Sequence, residues 1–263
     1  MDLRKARVLL TGATGGIGQA LAVDLAACSG EVVLTGRRTD VLEPLAEKLN
    51  GRAIPADLTD RDAVEQLLQT AGEIDVLVAN AALPATGLLS DYSLAEIDRA
   101  LDVNLRAPIM MAKLLAQHMA SRRHGHLVFI SSLNGKTASA QASLYNATKF
   151  GMRGFALALR EDMRPHNVGV STIFPGYISD AGMFADSGAN LPRGIGTRTP
   201  QDVARATIRA IEKNRAEVDV APLSLRMIGL LSGIAPGLSA AIQRRAGTEK
   251  ITEQLAEGQR SKR

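Results

Sequence analysis

Tryptophan is absent from this 263-residue chain, and aromatic residues of all kinds make up only 3% of it. With 46% of residues hydrophobic, a sizeable core can form, but it must be built from Ala, Val, Leu and Ile. The same scarcity leaves few rings to stack on bases. Charge argues the same way. The net +4 arises after Ala221, where seven Lys or Arg face three Glu, so the body of the chain is neutral. Nucleic acid is therefore not an expected partner. The single cysteine, Cys28, excludes an internal disulfide and any multi-cysteine metal site. Its apolar helical setting predicts a buried small side chain. His118, His124, His126 and His166 fit no metal-ligand spacing, and His124 and His126 are expected in a turn at a strand start. No uninterrupted apolar run reaches the roughly 18 residues a spanning helix needs. The N-terminal apolar stretch is too short for a signal peptide and leads into a strand. A cytoplasmic location is the default expectation.

What is present is alternation. RVLLT, EVVLTG, RAIPAD, IDVLVAN, HLVFISS, VGVSTIF and EVDVA have the apolar, β-rich character of strands, and helical patterns separate them. Near-continuous apolar strands imply burial on both faces, as in a parallel sheet. The series predicts an α/β doubly wound Rossmann fold, with a seven-stranded parallel sheet flanked by helices. Residues 1–221 are expected to form the main domain, and 222–263 its C-terminal helical extension. One long helical region is expected from about Ser93 to Ser121, and another carries Tyr145 to about Pro165. The Gly-rich stretch from Asp180 to Arg198 lacks periodicity and is expected to be a flap, with Met183, Phe184 and Leu191 facing a substrate.

Two short motifs carry chemistry. TGATGGIG, Thr11 to Gly18, joins the first strand to the first helix. Glycines let a backbone turn tightly and approach a pyrophosphate, while the following helix offers unpaired N–H groups. In SLYNATKF, Tyr145 and Lys149 lie one helical turn apart, on one face. A free phenol has a pKa of about 10. A nearby ammonium, joined by an oxidised nicotinamide, is expected to lower it by about three units, which takes roughly 4 kcal/mol.

Taken in order, the TGxxxGxG loop, ADLTD, VANAA, DVNLRAP, ISSLNG, YNATK and IFPGYISD resemble the short-chain dehydrogenase/reductase family, over roughly Ala6 to Ala221. The resemblance implies hydride transfer between a nicotinamide and a carbonyl or alcohol carbon. It places Gly12, Thr14, Gly16, Ile17 and Gly18 at the cofactor phosphates, Asp57 and Leu58 at the adenine, and Asn80 and Ala81 beside the adenosine ribose. An N-cap-like role before the next helix is the competing reading of Asp57. Ala82 and Leu83 depart from the usual Ala-Gly ending of the fourth-strand motif. Pro175, Gly176 and the backbone of Ile178 would meet the nicotinamide, although Asp180 stands where the family often has Thr. Tyr145 becomes the acid/base, Lys149 the pKa shifter and ribose ligand, and Ser132, thirteen residues before Tyr145, the oxyanion partner. Asn104 becomes the holder of a relay water, or else a break between two helices.

The second strand ends at Gly36, followed by Arg37 and Arg38, where NAD-preferring relatives carry an acid. A guanidinium grips a 2′-phosphate that a carboxylate would repel, so NADP(H) is expected over NAD(H). With no cationic cluster placed for a substrate carboxylate, the expected substrate is an apolar carbonyl or alcohol. A non-catalytic NADP(H)-binding sensor on the same fold is the alternative. The family implies a homodimer or homotetramer. The apolar, basic-flanked segment after Pro222 is broken by Pro236 and is expected to cover the substrate mouth or pack between subunits, with membrane-surface contact a third option. The last stretch, TEKITEQLAEGQRSKR, is expected to be a solvated helix with a frayed end.

Overall fold

The computed structural model describes residues 1–189, 191, 195–245 and 247–260. Seven strands form one sheet: β1 (Arg7–Thr11), β2 (Glu31–Thr35), β3 (Arg52–Ala53), β4 (Val76–Ala79), β5 (His126–Ile130), β6 (Gly169–Pro175) and β7 (Glu217–Val220). All pair in parallel, in the order β3-β2-β1-β4-β5-β6-β7. The expected third strand shrinks to Arg52–Ala53. The order reverses between β1 and β4. Adjacent crossovers diverge there and leave a crevice at the strands' carboxyl ends.

Helices cover both faces. On one side lie α1 (Gly16–Ala26), α2 (Thr39–Lys48) and α7 (Pro200–Glu212), with α3 (Arg61–Ala71), α5 (Ala107–Arg122) and α6 (Ser143–Met163) on the other. Strand residues alternate between the layers. Val8 and Leu10 join Leu21, Leu42 and Val203 in one core, while Leu9 joins Leu67, Met111 and Met152 in the other. This two-sided burial is what the continuous apolar strands require. Local signals set the helix starts. Asp60 accepts from Asp62 and Ala63 N–H groups to cap α3, and Thr199 and Asp202 form a capping box with Pro200 at the first turn of α7.

The helical region expected around Ser93–Ser121 is present but changes pitch. Between α4 (Leu94–Leu101) and α5, residues Asp102–Arg106 form a π turn. Such turns insert one residue into a helix and cluster at functional sites.

Three expectations are corrected. His126 is not a turn residue: it starts β5, is buried, and its Nε2 lies 2.8 Å from Ser171 Oγ. Burial pushes its imidazole down to about 3, so it stays neutral. Cys28 lies just past the end of α1 and is only partly buried; burial raises its thiol. The C-terminal stretch is not simply a solvated tail. Beyond α8 (Leu223–Ile234) and α9 (Pro236–Arg245), α10 (Thr248–Gln259) buries Ile251, Thr252 and Gln259.

Candidate active site

The glycine loop leaves β1 with a left-handed residue, Gly12 at φ 65°. A Cβ there would stand 2.7 Å from Ala81 Cα, and one on Gly18 would stand 2.0 Å from the Gly12 carbonyl oxygen. Neither position admits a side chain, so loop, helix and β4 end close together on bare backbone. Asn80 locks that junction. Its Nδ2 donates to the Thr11 and Gly12 carbonyls at 3.0 and 3.2 Å. The Asn80 and Ala81 N–H groups both donate to Thr11 Oγ1 at 3.0 Å. Helix α1 begins with no side-chain cap and no acid in its first turn, so its free N–H groups and positive dipole end remain for an anion. This bare cradle fits a pyrophosphate. Thr14 is buried in it, and Ile17 lines the cavity beyond.

The adenosine end is more specific. Asp57 Oδ1 accepts from Thr59 N–H at 3.0 Å and from Thr59 Oγ1 at 2.9 Å, while Asp60 is the true cap of α3. The N-cap alternative for Asp57 is thereby removed. Burial would raise its carboxyl, but the Thr59 hydrogen bonds, with Arg37 and Arg99 nearby, hold it below the ordinary value. Leu58 is buried beside it. Arg37 is exposed. Arg38 is tethered, its guanidinium donating a short hydrogen bond to the Thr14 carbonyl. The two arginines are therefore not equivalent, as the sequence had them.

Across the crevice, Ser132, Tyr145 and Lys149 converge on one cavity of about 210 Å³, which Asn80, Pro175, Gly176 and Ile178 also line. Ser132 Oγ accepts from the Asn134 N–H at 3.2 Å and lies on the same cavity as the Tyr145 phenol. Ser131, its neighbour, turns the other way and donates to the Lys149 carbonyl at 3.3 Å, as strand alternation predicts. Lys149 is buried, its Nζ donating to the Ile130 carbonyl at 3.2 Å and lying 5.5 Å from the Tyr145 ring centroid.

Burial dominates the electrostatics of the protein's own groups at the site. Burial pushes the Tyr145 phenol up to about 12, and the nearby Ser132 hydroxyl opposes that only in part. Burial also pushes Lys149 down, to about 8. Counting positive charges predicted a lowered phenol. That count includes an oxidised nicotinamide beside Lys149, and the cost of removing a phenolate from water is what the two charges have to offset.

Asn104 sits in the π turn, buried. Its Oδ1 accepts from Leu83 N–H at 2.6 Å and its Nδ2 donates to the Leu83 carbonyl at 2.9 Å. Both ends of the carboxamide thus hold the loop after β4, at the residue where that loop departs from the family pattern. The helix-break expectation is met, since the π turn interrupts the regular α-helix at Asn104. Ile178 forms a bridge with Arg198. The bonds come from its neighbours, with Ser179 N–H donating to Arg198 O and Arg198 N–H to Tyr177 O. The Ile178 peptide groups take no part in it.

Met183 and Phe184 line the cavity as expected, whereas Leu191 does not. Asn190 and residues 192–194 of the expected flap lie outside the described residues. Sequence reasoning missed Tyr177, whose ring packs 5.1 Å from that of Phe184, and the residues supplied by α8 to α10. Leu225 and Ile228 come from α8, Gln243 from α9, and Thr252, Leu255 and Gln259 from α10. The i, i+3, i+4 spacing of Thr248, Ile251, Thr252, Leu255 and Gln259 was the available signal.

The family model for short chain dehydrogenases matches residues 6–192. The chain belongs to the short-chain dehydrogenase/reductase family. Among its relatives, ketoacyl reductase HetN of Nostoc sp. is 36% identical over 222 residues, covering 81% of this chain and 77% of HetN. A solved putative betaketoacyl-ACP reductase is 26% identical with a TM-score of 0.78, covering 86% of this chain and all of that one. A short-chain dehydrogenase from Sphingobium yanoikuyae, solved in complex with NADPH, shares the fold at 24% identity and TM-score 0.77, covering 89% and 94%. This chain is therefore an oxidoreductase of the short-chain dehydrogenase/reductase type.

Proposed function

We propose that the enzyme reduces the carbonyl group of an apolar substrate, or runs the reverse alcohol oxidation, with NADP(H). The observation that carries this reading is the convergence of Tyr145, Ser132 and Lys149 on one cavity. A bound nicotinamide supplies or accepts the hydride. Ser132 donates a hydrogen bond to the substrate oxygen as negative charge grows there. Tyr145, protonated at neutral pH in its buried setting, gives its proton to that oxygen. Lys149, as an ammonium, stabilises the phenolate left behind and holds the cofactor ribose. Asn104 keeps the loop after β4 in place through Leu83 and orders the water that resupplies the proton.

Arg37 favours NADP(H). It is exposed at the end of β2, whereas Arg38 is held on the glycine loop. No acidic residue stands at Gly36, so nothing there repels a 2′-phosphate. The apolar side chains of Met183, Phe184, Leu225, Ile228 and Leu255 give the far wall its character. Kinetics with both cofactors on a panel of aldehydes, ketones and acyl thioesters test the assignment. The expected result is a higher kcat/KM with NADPH, and a loss of that preference by about tenfold or more in Arg37→Glu, as charge-assisted contacts of this kind imply. A wild-type preference for NADH would overturn the cofactor assignment.

A further inference from the structure

The helix α8 has two apolar faces and only one of them is used. At about 100° per residue, Leu223, Met227, Leu230 and Ile234 fall within a ~60° arc. All four are exposed, Ile234 to 85% and Leu223 to 69%. The opposite side carries Leu225 and Ile228, which line the cavity, together with buried Gly229 and with Ser232, whose Oγ donates to Thr137 Oγ1 at 2.8 Å. The helix is thus anchored by its inner face, and the outer stripe is held out as a consequence. Past Pro236 the stripe continues on α9 with Leu238 and Ile242, both exposed.

Charge selects what covers this surface. Arg226 flanks the stripe on α8, Arg244 and Arg245 close α9, and all three are exposed. Between Pro222 and Thr248 the sequence has no Asp or Glu. A second copy docked face to face would set these arginines against their equivalents, whereas an anionic surface would pair with them. Among the described residues no helix is long and apolar enough to cross a bilayer, and α8 and α9 have only 12 and 10 residues. Short, basic helices with one exposed apolar face lie in the plane of a membrane interface rather than through it.

We propose that the outer face of α8 and α9 docks on the surface of an anionic phospholipid bilayer. The apolar side chains enter the headgroup boundary and Arg226, Arg244 and Arg245 meet lipid phosphates. Because Leu225 and Ile228 lie on the other side of the same helix, docking sets the cavity about one helix diameter, ~10 Å, from the lipid. The proposal stands on exposure and charge, independently of the hydride-transfer assignment.

Flotation of the full chain with vesicles tests it, since the readout involves no turnover. Vesicles of phosphatidylcholine alone are compared with vesicles containing about one-third phosphatidylglycerol, at low and high salt. The wild type is expected to float with the anionic vesicles and to be partly released by salt. The double variant Leu230→Ser, Ile234→Ser should bind at least about tenfold more weakly. Arg244→Ala and Arg245→Ala should each weaken binding about fivefold. Wild-type protein that stays in solution with both vesicle types at low salt would overturn the proposal, whatever the variants do. Equal binding by the double variant would also overturn it. So would a lowered solution mass of the double variant without vesicle binding by the wild type, which would assign the face to a second copy.

Discussion

The two ends of the crevice are made in different ways. At the cofactor end, recognition is built from backbone: Gly12 and Gly18 bring main chain against main chain, Asn80 bonds carbonyls, and α1 presents uncapped N–H groups. At the substrate end, the wall is built from side chains on three helices that follow the sheet, with Leu225, Ile228, Gln243, Thr252 and Leu255 arriving from separate turns. The first end leaves almost no room for change, as the proposed pyrophosphate cradle requires. The second can be rewritten one side chain at a time. A family with one cofactor chemistry and many substrates needs this division.

The largest effect should come from putting a side chain into the backbone cradle. In Gly18→Ala the new Cβ would meet the Gly12 carbonyl oxygen at 2.0 Å, with backbone on both sides and nowhere to yield. We expect saturable NADPH binding to disappear and stability to fall by about 3 kcal/mol or more, read by fluorescence titration and thermal melts. Wild-type cofactor affinity in this variant would show that the loop is not the cradle. Next is Ile251, buried on α10. If α10 belongs to the folded body, Ile251→Ala should cost about 2–4 kcal/mol in a denaturant melt. A change below about 0.5 kcal/mol would return α10 to the status of a solvated tail.

A smaller, graded effect is expected from pH. Lys149 is held down to about 8, so its ammonium is lost as pH rises through that value. For carbonyl reduction, kcat/KM should be flat below this pH and fall about tenfold per unit above it, since the profile reports groups of the free enzyme. A flat profile to strongly alkaline pH would mean that the charge on Lys149 does not matter to the reaction.

What could be read from the sequence follows the same division. The sheet was legible because two-sided burial makes its strands continuously apolar, as in VLVA of β4. The glycine loop and the Tyr145–Lys149 pair were legible because their geometry depends on spacing along a few residues. The role of α10 was not, because its charged outer face, with Glu249, Glu253 and Glu257, masks a narrow inner one. Only the tertiary structure shows that Gln259 donates to the Met183 carbonyl at 3.0 Å, across 76 residues of chain. The tether of Arg38 was hidden for a similar reason, since its bond to Thr14 depends on how β2 sits beside the loop. The desolvation cost at Tyr145 was not legible because burial is a property of the fold and not of the motif.

The central claim is that Tyr145 transfers the proton while the backbone cradle separately holds the cofactor. Tyr145→Phe separates the two most directly, with NADPH affinity and turnover measured on the same preparation. We expect affinity within about threefold of wild type and kcat lower by about a thousandfold or more, the range that loss of a general acid implies. Near-full turnover by Tyr145→Phe would contradict the account.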